Sequence, residues 1–120
     1  MVMKQKLQFD FVTPGLNGKD GLINEHFRAK KKRQESIVWA VKAKNPDKHK
    51  GKVIITYTRA SVVAPDWDNL CASFKHWGDA LVKCGVIEDD KPSIILEFKP
   101  RWEKAKNNKS LYTIIEIKDL

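Results

Sequence analysis

A small mixed α/β fold, of the α+β kind, is what this sequence predicts, in the order β-α-β-α-β-β. Three observations predict it. Four segments alternate apolar and polar residues or are rich in β-branched ones. Two longer segments place apolar residues at helical spacing. Clusters of Gly, Pro and Asn separate them. At 120 residues the chain fits a single domain, residues 1–120, with a small mixed sheet and two helices packed on it.

The first strand is read over residues 6–13, where Leu7, Phe9 and Phe11 alternate with polar positions. Residues 14–21, "PGLNGKDG", form a loop. A helix follows from about Asn24, its N-cap, to Lys44, with Phe27, Ile37, Val38 and Val41 on its apolar side. After the breaker "NPDKHKGK", the β-branched run at 53–61 is the second strand. The second helix runs roughly from Asn69 to Lys83, with Leu70, Phe74, Trp77 and Leu81 facing the core and Gly85 as a left-handed cap. Strands three and four lie over 93–102 and 111–119. The short polar link between them predicts an antiparallel pair. Trp39 and Trp77 are expected in the core.

Composition restricts the function classes. No run of about 18 apolar residues is present, so no membrane span is expected. The first residues lack the apolar core of a signal peptide, and two cysteines, Cys71 and Cys84, do not make a disulfide framework. A cytoplasmic protein with free thiols is the expectation. The net charge is +8. Residues 1–52 hold 13 basic and 5 acidic side chains, and residues 53–120 hold 10 of each, so all of the excess lies in the first half. Its densest part is "RAKKKR", where Arg28, Lys30, Lys31, Lys32 and Arg33 suit a polyanion such as DNA, or else form a solvated helix face.

Against this basic background, the acids gather around one segment. Asp66 and Asp68 precede the second helix, and Glu88, Asp89 and Asp90 follow it. Carboxylates are the ligands of hard cations such as magnesium, which takes one or two of them with waters and phosphate oxygens. On an extended segment Asp66 and Asp68 point to one side and can approach one ion. Asp89 and Asp90 reach it only if the loop after Gly85 folds back. Helix capping by Asp68 and a solvated "EDDK" turn explain the same residues without a metal. Lys75 and Asp79 share the helix face opposite the core. There Lys75 can hold a phosphate or stabilise developing charge, or the two can form a surface ion pair. His26, His49 and His76 give no zinc spacing, and neither a nucleotide-binding glycine motif nor a serine elbow is present.

"DWDNL" (66–70), Lys75 and "DALVKCGVIEDD" (79–90) together resemble the RusA family of Holliday junction resolvases. The resemblance covers about residues 64–92, with a faint echo in "TPGLNG" (13–18). It implies a homodimer that binds four-way DNA junctions and cuts opposing strands with magnesium, for which manganese can substitute. Asp66, Asp68 and Asp90 match the metal-site carboxylates, Asp89 the adjacent acid and Lys75 the lysine. The chain departs from the pattern in two places. Lys75 lies seven residues after Asp68 rather than four, as if "CAS" (71–73) were inserted, and Pro65 stands where a basic residue is common.

The expected activity is therefore that of a magnesium-dependent endodeoxyribonuclease in DNA recombination and repair, in the bacterial cytosol. Members of that family are often phage- or prophage-encoded, and origin from a phage or a host chromosome stays open here. In this reading Arg28, Lys30, Lys31, Lys32 and Arg33 grip backbone phosphates, and no small-molecule cofactor is needed. The alternatives are a branched-DNA binder without catalysis and a protein-interaction domain whose lysines only confer solubility.

Overall fold

A computed structural model describes residues 3–14 and 27–120, with residues 27–29 described by backbone alone. Expectations that fall on the loop at 15–21, on the cap Asn24 and on the side chains of His26, Phe27 and Arg28 lie outside the described residues. The fold is mixed α+β, with helices and one four-stranded mixed sheet. Its elements are β1 (Lys4–Phe9), α1 (Phe27–Ala43), β2 (Val53–Ser61), α2 (Trp67–Ser73), α3 (Lys75–Lys83), β3 (Ile95–Lys104) and β4 (Tyr112–Asp119). The helix expected over 69–83 is thus two short helices joined at Phe74. No helix among the described residues is long and apolar enough to cross a membrane.

The strand order is β1-β4-β2-β3. β4 pairs antiparallel with both β1 and β2, whereas β2 and β3 are parallel. The expected hairpin of the last two strands is therefore corrected: β2 stands between them. Composition explains why. β3, "ILEFKPRWEK", carries charged residues along its length and Pro100, which has no N–H to give a ladder, so it belongs at an edge. β4 supplies Ile115 and Ile117 to the core and can be paired on both sides. The link between β3 and β4 need span only two strand spacings, roughly 10 Å.

Alternation sets the register. Leu7 lies opposite Ile115, Tyr57 opposite Ile115 on the other side, and Ile55 opposite Ile117, so these buried side chains share one sheet face. Ile37 and Val41 of α1, and Trp77, Ala80 and Leu81 of α3, complete the core with Leu70 and Phe74. Phe11, beyond the end of β1, still packs on Trp77 with ring centroids 5.1 Å apart. Trp39 is a second correction: it is 70% exposed, with Lys42 Nζ 5.4 Å from its ring. Ile37 and Val41 fix the buried side of α1. A residue two places from Ile37 lies about 200° around the helix and must face water.

Hydrogen bonds close the chain ends. Gln5 Nε2 donates to His49 Nε2 (2.7 Å), which leaves the imidazole proton on Nδ1, donated to Asp119 Oδ1 (2.6 Å). The Gln5 amide also exchanges two bonds with the Asp47 backbone. On the far side, the buried Tyr57 and Ser73 hydroxyls are 2.7 Å apart, Thr13 Oγ1 donates to the Ser73 carbonyl, and Arg59 donates to the Thr13 carbonyl. These bonds tie the segment after β1 to the junction between α2 and α3.

Candidate functional site

The end of α3 decides where the acids go. Gly85 adopts φ 72°, its N–H donates to Val82 O (3.0 Å), and the Val86 N–H donates to Leu81 O (2.9 Å). This pair of bonds is a Schellman cap, and it turns the chain back along the helix. Val86 and Ile87 are buried and anchor the return. The backbone N–H of His49 donates to Val86 O, and that of Gly51 to Glu88 Oε1, both at 2.8 Å. Glu88 is thereby used to hold a loop. Asp89 and Asp90 are left to project over α3.

Asp90 lands on Gly78. Its carboxylate lies against the bare Cα, so close that a Cβ there would stand 2.9 Å from Asp90 Cγ. A glycine inside a helix costs about 1 kcal/mol relative to alanine; here its absent side chain is the space the acid occupies. Burial pushes the Asp90 carboxyl above the ordinary carboxylate range. The Asp79 charge adds to this, Lys75 opposes it, and Asp89 pushes further upward. Lys75 Nζ is 3.8 Å from Asp79 Oδ2, so the expected i, i+4 pair forms. Lys91 Nζ is 3.5 Å from Asp89 Oδ2.

Lys75, Asp79, Asp89 and Asp90 line one wall of a groove of about 650 Å³ between α3 and α1. Lys30, Lys31, Gln34 and Glu35 of α1 form the other wall. The described cations of the basic block, residues 30–33, do not act as one face. Lys32 and Arg33 line a separate cavity with Phe11, Val12 and Thr13, because successive residues turn about 100° around a helix. His76, next to Lys75 on α3, is buried at 2% exposure. Burial first, and the charge of Arg33 next, bring its pKa down to about 4.

Asp66 and Asp68 are placed differently from the reading of an extended pair. α2 begins at Trp67, two residues before the expected start. Asp66 is therefore the N-cap, extended at φ −72° and ψ 170°, and its Oδ1 accepts from the Asn69 N–H at 2.8 Å. Asp68 is already in the first helical turn and exposed. The two carboxylates do not share the direction that two alternate residues of a strand would share. The capping role expected of Asp68 belongs to Asp66, whose carboxylate suits the positive end of the helix. Neither residue is among those lining the groove.

The structure thus brings Lys75, Asp79, Asp89 and Asp90 together with Lys30 and Lys31 in one groove, whose lining does not include Asp66 or Asp68. Among the described residues, no three His, Cys, Asp or Glu side chains form a metal-binding group. The donors at Asp79 and Asp90 nonetheless suit magnesium: hard oxygens, one or two per ion, with the remaining positions open to water and phosphate. Gly78 was not singled out from sequence, although a lone glycine inside "KHWGDALVK" is the signal that could have found it. No family model matches the chain, and no curated protein matches it.

Proposed function

We propose that this chain is a magnesium-dependent DNA endonuclease that acts on four-way junctions as a homodimer. The observation that carries the reading is the groove in which α1 lysines face the Lys75, Asp79 and Asp90 cluster. The "DWDNL" and "DALVKCGVIEDD" resemblance supplies the substrate class and the dimer. Phosphodiester hydrolysis forms a bond from water oxygen to phosphorus and breaks the bond to a sugar oxygen. One proton leaves the water and one reaches the leaving oxygen.

Lys30 and Lys31 hold backbone phosphates and bring in a polyanion despite the nearby acids. Lys75 stands beside the scissile phosphate and stabilises the charge that develops on it. Asp90 faces the same phosphate and orients the attacking water, whose proton passes to solvent. Asp79 holds Lys75 in place. Magnesium, when bound by Asp90 with Asp79 or Asp89, would polarise the phosphate and offset the crowded negative charge. Asp66 and Asp68, which the resemblance also assigns to the metal, lie at the start of α2, the helix that leads into Lys75.

The decisive test uses a labelled four-way junction with and without magnesium. Nicking that requires magnesium, and that Asp90→Asn abolishes while junction binding persists, is the expected result. Cleavage by Asp90→Asn at the unaltered rate would remove the site. A second reading, junction binding without cleavage, is favoured by Asp66 being engaged as a helix cap and not lining the groove. It requires binding without nicking under all metal conditions.

A further inference from the structure

Lys75 and Asp90 face two cavities. Beyond the α1 groove they also line a second one, of about 400 Å³, on the side of β3. Its character differs. Phe74, Phe98 and Ile95 make an apolar floor, with the Phe74 and Phe98 rings 4.7 Å apart at 45°. Lys91 and Lys75 put two cations at the rim. Tyr57 lies nearly parallel behind Phe98, with centroids 6.3 Å apart and planes at 18°, which fixes that ring from beneath. Cys71 is exposed on the same wall.

We infer that this second cavity receives an unpaired nucleobase of the strand whose phosphate lies at Lys75. The inference rests on the proposed DNA-cleaving function and names which part of the DNA the enzyme reads. Three features select a nucleotide over other occupants. The cavity falls within the range of small-ligand sites, roughly 300–1,000 Å³. An aromatic floor with cations at the rim matches a molecule that has a flat π face and an attached anion. The two cavities meet at Lys75, so a phosphate held there has the α1 lysines on one side for the next phosphates and the aromatic floor on the other for its own base. Bases inside a duplex are stacked and cannot enter. A base at a branch point, where stacking is interrupted, leaves the helix at less cost than one inside a duplex, and a base already single-stranded at least cost. The pocket therefore makes an unstacked nucleotide beside the cut the preferred substrate feature, whichever base it carries.

Cys71 is a reporter built into the wall. Alkylation of Cys71 by iodoacetamide, followed by mass spectrometry of its peptide, is measured with a short single-stranded oligothymidylate and with an abasic oligonucleotide of the same length. Protection by the first and not by the second is expected, because only the first has bases to fill the cavity. Cys71→Trp, which fills the cavity from an exposed position, should weaken oligothymidylate binding about tenfold and leave abasic binding unchanged. Equal protection by both oligonucleotides, or none while both bind, overturns the pocket and leaves the nuclease reading standing. Failure to bind either DNA or a junction overturns both. Protection that rises with protein concentration in the absence of DNA assigns the cavity to a second copy of the chain and also overturns the inference.

Discussion

The Asp90 carboxylate rests on the Cα of Gly78, one helical turn from Lys75 on α3. The contact exists only because position 78 has no side chain. Gly78→Ala gains about 1 kcal/mol of helix propensity and must push the carboxylate away. Cleavage of a four-way junction should fall by about tenfold or more, the factor that about 1.4 kcal/mol of transition-state stabilisation represents. The circular-dichroism spectrum should be unchanged. Unaltered cleavage rates would mean that the position of Asp90 is irrelevant to the chemistry.

Asp90 shares the groove with Asp79 and Asp89, and its ionised form is disfavoured by burial and by their charge. The folded chain binds a proton there more readily than the unfolded chain does. Its ionisation therefore lowers stability as pH rises through the raised pKa. Asp90→Asn should raise the thermal midpoint of the metal-free protein at neutral pH while abolishing nicking, the usual opposition between site chemistry and stability. A lower midpoint would show that the carboxylate is a structural contact.

His76 carries the opposite sign in pH. It faces Arg33 and Lys30 from α1, and Asp79 and Lys75 from its own helix. Burial, Arg33 and the lysines outweigh Asp79 and bring its pKa from 6.5 to about 4. The unfolded chain takes up this proton first. The stabilising contribution of the neutral ring is whole above pH 6.5 and is lost as pH falls toward 4. Thermal midpoints measured across that window should decline, and His76→Phe should remove that part of the slope. A wild-type profile that is flat over the window would contradict the assignment.

Lys30 and Lys31 line the groove and Lys32 does not. Replacing Lys30 and Lys31 together by alanine should reduce the slope of log affinity against log salt by about 2, one for each phosphate no longer engaged. Fluorescence anisotropy of a labelled junction over a salt series reads this directly. An unchanged slope would place the DNA elsewhere.

Local rules made much of this molecule legible in its sequence. The helical spacing of Leu70, Phe74, Trp77 and Leu81 predicts the buried face, and all four are buried. Gly85 marks the helix end because one residue must adopt a left-handed backbone. Nonlocal relations were not legible. Whether β3 pairs with β4 or with β2 depends on which strand tolerates an edge, and short links permit both. Trp39 reads as core by hydrophobicity, but the angle from Ile37 puts it in water. In the acidic segment, spacing could not show that the loop after Gly85 folds onto α3 or that α2 starts at Trp67. Those two facts bring Asp90 to Lys75 and set Asp66 aside as a cap.

The place of β4 has a consequence for biosynthesis. The ribosome delivers β1, β2 and β3 first, yet β1 pairs with β4 alone, and β2 stays half-paired until residues 112–119 emerge. The nascent chain cannot assemble its sheet piecemeal. Closure waits for pairings such as Lys4 with Lys118, and contacts so distant in sequence form slowly. The helices that frame the groove have no complete sheet to lie on before then. The groove is thus complete only once β4 has slotted between two strands that have been waiting for it.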